Sequence, residues 1–295
     1  MSTVKHNLTR TEEIKRMVRL SDGRQLGLSR PLVMGILNVT PDSFSDGGRF
    51  LSPENATVMA YRMEEEGADI IDVGSESSRP GAEPVPVDEE IRRVIPVIET
   101  IRKKSDIPVS IDTYKSQTAI AALESGANMV NDISALQFDK RMVEVLAERS
   151  APIVLMHMLG SPRDMQQNPS YSNCVEEIAD FFEERIGFCH QNGIDKSRLI
   201  LDPGIGFGKR LSDNVEILAN LRLFTSFGLP LLIGASRKSF INMLHPSDQQ
   251  ADQRIGGSIA AAVTAVINGA AIVRVHDVGQ TVEALKVLQA VKEMS

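Results

Sequence analysis

The chain has 295 residues, a formal net charge of −7, 42% hydrophobic residues and 24% charged residues. That length suits two average domains or one (β/α)₈ barrel of about 250 residues, and the composition is that of a globular protein. The acidic balance excludes general attraction to nucleic acid or to anionic membranes, and no apolar run approaches the length of a membrane-spanning helix.

In chain order, residues 1–12 read as a flexible extension. This start is polar, with Lys5, Arg10, Glu12 and Glu13 and no apolar core, so no secretory leader is expected and the cytoplasm is the expected compartment. Residues 13–295 show no Pro/Gly/Ser-rich linker or charge block and read as one domain. Residues 17–20 and 25–28 read as a β-hairpin turned by Ser21-Asp22-Gly23, placed to plug the bottom of a barrel.

Eight short apolar runs then recur, and nearly every one ends on a side chain that can do chemistry. Residues 32–37 end at Asn38, 70–73 lead to Ser75-Glu76, 109–111 end at Asp112, and 129–130 end at Asn131-Asp132. Residues 153–156 end at His157, 199–201 at Asp202, 231–234 run into Ser236-Arg237-Lys238, and 271–273 into Arg274-Val275-His276. Such β-branched runs read as parallel strands covered on both faces. Segments of helical period alternate with them at 54–66, 88–103, 116–125, 140–149, 173–192, 212–224, 257–268 and 281–292. Gly67, Gly126, Gly193, Gly228 and Gly269 stand where helices stop. The pattern predicts an α/β fold, a single (β/α)₈ TIM barrel with its active site at the carboxyl ends of the strands. Cys174 and Cys189 fall in one predicted helix about 22 Å apart, too far for a disulfide.

Two strand-to-helix connections, 38–53 and 74–87, are long enough to be functional. The first carries Phe44 alone in a polar run, which makes sense if the ring packs on something that comes and goes. The second holds Ser78, Arg79 and Pro80, and turn chemistry accounts for it as readily as function does. Asp112 and Asp202 end buried strands; Asp112 can equally cap the helix after it, whereas Pro203 and three glycines separate Asp202 from its helix. Carboxylates and amides converging there suit a planar ligand edge rich in N–H donors, such as a guanidine-like or pterin-like ring. Residues 204–209 match neither the dinucleotide nor the P-loop glycine pattern. The basic residues after strands seven and eight stand where barrels commonly hold phosphate. His157 reads as a packed strand-end residue, with no partner at metal-ligand spacing.

Residues 34–48, 74–81, 110–113, 131–134, 155–158, 201–209, 234–239 and 274–278 together resemble, in order, the successive signatures of the dihydropteroate synthase family of pterin-binding enzymes. The resemblance implies a transferase of folate biosynthesis that forms a C–N bond. It would join 6-hydroxymethyl-7,8-dihydropterin diphosphate to p-aminobenzoate with loss of diphosphate. It further implies that Asp112, Asn131, Asp202 and Lys238 hold the pterin, and that Asn38, Ser78, Arg274 and His276 face the diphosphate. Asn38 would ligate Mg²⁺, and Phe44, Ser78, Arg79, Pro80, Phe207, Lys238 and Ser239 would surround p-aminobenzoate. Asp112, Lys238, Arg274 and His276 are then the catalytic set, with Asp112 stabilising a pterin-methylene cation once diphosphate leaves. Ser78 stands where the family usually has Thr, Ser75 where it often has Gly, and Ile205 where an aromatic is common. The family also implies a homodimer through late barrel helices and a sulfonamide target, with no nucleic-acid or membrane partner. A methyltransferase acting on a methylated pterin would share Asp112, Asn131 and Asp202 without needing Arg274 or His276. A catalytically dead pterin-binding scaffold would be expected to lose Asn38 or Lys238, and both are present.

Overall fold

The computed structural model describes residues 17–39, 53–77, 81–248 and 250–294. β1 (Met17–Arg19) and β2 (Gln25–Gly27) pair antiparallel. The loop between them is closed by the Leu20 N–H on Arg24 O at 2.8 Å, which leaves residues 21–23 as the turn, with Gly23 at φ 87° taking the left-handed position that such a turn needs.

Eight parallel strands follow: β3 (Leu32–Asn38), β4 (Ile70–Gly74), β5 (Val109–Asp112), β6 (Met129–Asp132), β7 (Ile153–Met156), β8 (Leu199–Asp202), β9 (Leu232–Ile233) and β10 (Ile272–Val275). Their hydrogen-bonded order is β8-β7-β6-β5-β4-β3-β10-β9. A parallel bridge between Leu201 and Leu231, with the Leu201 N–H on Pro230 O at 3.0 Å, joins the two ends and closes the barrel.

Side chains alternate along each strand, and the parity decides what the interior holds. Val33, Leu37, Ile71, Val73, Val130, Leu155, Leu201 and Val273 face outward and pack with the helices in the larger apolar core. Leu32, Met34, Ile70, Met129, Val154, Ile200, Leu232 and Ile272 face inward and fill the lower barrel, where Val18 of the hairpin packs against them at 2% exposure. The hairpin therefore seals the bottom, as its position predicts, and burying a residue such as Val18 contributes about 1.5–3 kcal/mol. Two residues further up, the same parity turns Asp72, Asn131, Asp202 and Arg274 inward, and it places Asn38, four residues above Met34, and Asp112, two above the buried Ser110, on the same side.

The helices lie close to their predicted spans: Pro53–Glu65, Val87–Arg102, Ser116–Glu124, Met142–Ala147, Cys174–Gln191, Leu211–Asn220, Ile255–Ile267 and Val278–Glu293. Two differences have local causes. The fourth helix starts at Met142 because the Asp139 carboxylate accepts the N–H groups of Arg141 and Ser116, holding residues 139–141 as a turn. A six-residue helix, Ser239–Leu244, was not expected, being too short to display a helical period. Cys174 and Cys189 stand at opposite ends of one helix, free and buried, and burial pushes their thiols up to about 12 and 11. Among the described residues no helix is long and apolar enough to cross a membrane.

Candidate active site at the barrel mouth

Strand register aligns Asn38 with Gly74, Gly74 with Asp112, and Asp112 with Asn131. Four neighbouring strands thus bring their last inward positions to one level. Glycine at 74 makes room, since a Cβ there would stand 3.2 Å from the Asp112 Cβ. Asp132, next in the chain, points outward instead. Its carboxylate accepts the Ser134 N–H and hydroxyl at 2.7 Å and the Leu136 N–H at 3.0 Å, so it shapes the loop rather than the site.

Arg274 crosses the interior and links the acids. Its Nε donates to Asp72 Oδ2 at 2.6 Å and its Nη2 to Asp112 Oδ2 at 2.7 Å, while Asn131 Nδ2 donates to the same Asp72 oxygen at 3.1 Å. Asp72 is fully buried, and its Oδ1 has no hydrogen-bond partner among the described residues. Burial pushes the Asp112 carboxyl up to about 7, against the pull of Arg274 and with the help of Asp72. Burial also works against the charge of Arg274, but Asp72 and Asp112 more than offset it and hold the guanidinium well above its ordinary value.

Asp202 closes the other side of the mouth. Its Oδ1 accepts the Gly204 N–H at 2.7 Å, a contact inside the turn and not a helix cap. Burial pushes this carboxyl up to about 6, opposed by the Gly204 N–H and by the Lys238 ammonium. Lys238 also lies over the Phe207 ring, 3.9 Å from its centroid. His276 takes part with Ser236: its N–H donates to Ser236 Oγ at 3.2 Å, and its ring Nδ1 lies 3.1 Å from the same oxygen.

Residues 204–209 do not form a phosphate cradle. The Gly204 N–H is bound to Asp202, the Gly206 N–H to Asn214 Oδ1 at 2.6 Å, and the Phe207 N–H to Gly204 O at 3.1 Å. The glycines serve close approach: a Cβ on Gly204 would stand 2.0 Å from His157 O, and one on Gly208 2.4 Å from Leu159 O. Lys209 turns inward, with Nζ 3.0 Å from His157 Nδ1 and donating to Phe207 O at 3.0 Å. Burial pulls its ammonium down to about 7 and the His157 ring down to about 2. His157 is thus a packed neutral ring, edge-on to Phe181. Ile205 is fully buried in the core.

Asp112, Asn131, Asp202, Lys238, Phe207, Arg274 and His276 therefore lie at the barrel mouth, and Asn38 ends β3 beside them; Ser239 is exposed one residue beyond Lys238. The readings placed on residues 1–12, Phe44, Ser78, Arg79 and Pro80 lie outside the described residues. Sequence reasoning missed Asp72, whose only signal was a carboxylate in mid-strand between Ile71 and Val73. It also missed Glu76 at the root of the second long loop. That carboxylate accepts the Tyr114 hydroxyl at 2.7 Å, the Val85 N–H at 2.8 Å and Lys115 Nζ at 2.5 Å. Lys115 in turn donates to the buried Glu90 at 2.6 Å.

Residues 34–276 match the family model described as pterin binding enzyme, and the chain belongs to that family. Within it, the chain is similar to dihydropteroate synthase of Escherichia coli K12, with 48% identity over 93% of this chain and 96% of that protein. The solved dihydropteroate synthase of Xanthomonas albilineans with 4-aminobenzoic acid has a TM-score of 0.88 and 47% identity, covering 94% of this chain and 98% of that one. The same enzyme in complex with 7,8-dihydropteroate has a TM-score of 0.85 and 45% identity, with 94% and 98% covered.

Proposed function

We infer that the chain is a dihydropteroate synthase, joining 6-hydroxymethyl-7,8-dihydropterin diphosphate to p-aminobenzoate and releasing diphosphate. One observation carries this reading: a single barrel mouth offers the acceptors Asp112, Asn131 and Asp202 for a ring edge of N–H donors, together with Lys238, Arg274 and His276 for an anion. The relatives named above support the reaction itself. Incubating the purified chain with both substrates and following diphosphate release tests it; no release would overturn it.

The chemistry follows from the charges. Asp202 and Asn131 hold and orient the pterin. The diphosphate departs toward Arg274 and His276, which neutralise the charge that develops on it. The methylene left behind is cationic and conjugated with the ring, and the ionised Asp112 carboxylate stabilises it until the amine of p-aminobenzoate attacks. Lys238 and Phe207 flank the side from which that amine arrives, with Ser239 beside them, and Phe44, Ser78, Arg79 and Pro80 complete this second-substrate wall in the proposal. Arg274 already spends its Nε and Nη2 on Asp72 and Asp112. We therefore assign the diphosphate to its Nη1 edge.

Among the described residues no group of three or more His, Cys, Asp or Glu converges as a metal cage. The donor set fits Mg²⁺ bound through one amide oxygen, that of Asn38, and through the substrate's own phosphate oxygens. When bound there, Mg²⁺ supplies charge neutralisation to the leaving group. Turnover is then expected to stop in chelator, while calorimetry shows a pterin lacking diphosphate binding as before. Loss of bare-pterin binding in chelator would remove Asn38 from this role.

Asp202 must be ionised to act as an acceptor alone. With its carboxyl near 6, affinity for a bare pterin is expected to rise about tenfold between pH 5 and pH 7 on its account, and ionisation of Asp112, near 7, adds a further rise around neutrality. A flat affinity across that range would contradict the assignment. We further propose a homodimer, supported by exposed apolar residues on late elements of the barrel, Leu223, Met243, Leu244 and Ile267. A cytoplasmic setting is supported by the two unpaired buried cysteines.

A further inference from the structure

Arg237 and Asp277 each give up an ordinary local preference for the same contact. Arg237 has φ 60°, in the left-handed region that residues with a Cβ avoid. Asp277 is the N-cap of the helix Val278–Glu293, where Asp usually accepts from the first turn, yet its side chain makes no capping bond. Its two oxygens instead receive the fork of Arg237, Nη2 to Oδ1 at 2.5 Å and Nε to Oδ2 at 3.1 Å. The Arg237 backbone is pinned on both sides. Its N–H donates to Ser258 Oγ at 2.9 Å, its carbonyl accepts from Arg254 Nη1 at 3.2 Å, and Ser258 Oγ donates to Arg254 O at 2.7 Å.

The residues next to this pair are Lys238, following Arg237, and His276, preceding Asp277. Ser236 adds a second tie between the two loops through His276. We propose that the Arg237–Asp277 pair is a brace that fixes Lys238 and His276 relative to one another, so that Arg237 is a positioning residue and not an anion ligand. The proposal rests on the reading of Lys238 and His276 as substrate-holding groups. Charge agrees with it: a bidentate carboxylate neutralises the guanidinium, so the anion-facing groups of these loops are Lys238 and His276. Local rules broken in pairs mark a site held for function.

Two variants test the brace. Arg237→Gly suits the left-handed backbone and deletes the fork, while Asp277→Asn keeps the size and can still cap the helix. Each is expected to lower kcat/KM for the pterin diphosphate about ten- to hundredfold, as misplacement of a holding group does. The double variant should lose no more than the worse single one, because both remove the same contact. Inorganic diphosphate, titrated calorimetrically at a temperature where both variants are folded, should bind more weakly to both. Parent-like kcat/KM and diphosphate affinity in Arg237→Gly, or losses that multiply in the double variant, would overturn the brace. A parent chain that fails to turn over would instead remove the assigned reaction, and the diphosphate titration reads the brace without it.

Discussion

Replacing Asp202 with Asn is expected to weaken pterin binding about a hundredfold or more, roughly 3 kcal/mol, with little change in stability. The substitution keeps the size of the side chain, and the amide carbonyl can still accept the Gly204 N–H that Asp202 Oδ1 now takes at 2.7 Å. What changes is the chemistry offered to the ligand. An ionised carboxylate accepts at both oxygens, whereas an amide turns one of those positions into a donor. A ring edge of N–H donors then meets a donor, and the buried groups on both sides are left without partners. The Lys238 ammonium also loses the anion that it faces across the mouth. Calorimetric titration of a bare pterin into the Asn variant reads the effect directly. Equal affinity in parent and variant would show that Asp202 is not the ring-edge acceptor.

Much of the site was legible because a barrel strand has a simple period. Once residues 32–37 and 109–111 read as strands, Asn38 and Asp112 had to emerge at their carboxyl ends, and the structure adds that both share the inward parity of the barrel filling. Asp72 was not legible, because a single acid inside the run Ile70-Ile71-Asp72-Val73 carries no sign of which face it takes. Only pairing with β3 and β5 shows it turned inward, against Arg274 from a strand 202 residues further along the chain. Lys209 misleads in the other direction. A lysine after a glycine run looks like a phosphate ligand, yet its Nζ is spent on His157 and Phe207 O. In each case the missing information is tertiary: which side chain from a distant strand or loop stands opposite.

Arg274→Met is expected to cost the fold about 3–5 kcal/mol at pH 8, beyond its loss of turnover, because it strands two buried carboxylates that now share one guanidinium. Asp72 is fully buried and the Asp112 side chain is 15% exposed, so water cannot replace the lost charge. The pH dependence gives the sign. Burial already holds Asp112 up to about 7 with Arg274 present, against an unfolded value near 4. Removing the arginine raises the folded value further, so the folded variant keeps protons that the unfolded chain has released. A carboxyl raised in this way loses stability as pH climbs from the unfolded value toward the folded one. The deficit relative to the parent should therefore be largest above pH 7 and shrink toward pH 5, as denaturant unfolding at the two pH values would show. Adding Asp72→Asn to Arg274→Met removes one stranded charge, and part of the stability should return at pH 8. Turnover should not return, because the group that meets the diphosphate is still missing. Parent-like stability of Arg274→Met at pH 8 would mean that the acids are not held by this arginine. Recovery of activity in the double variant would mean that Arg274 only balances Asp72 and takes no part in the reaction.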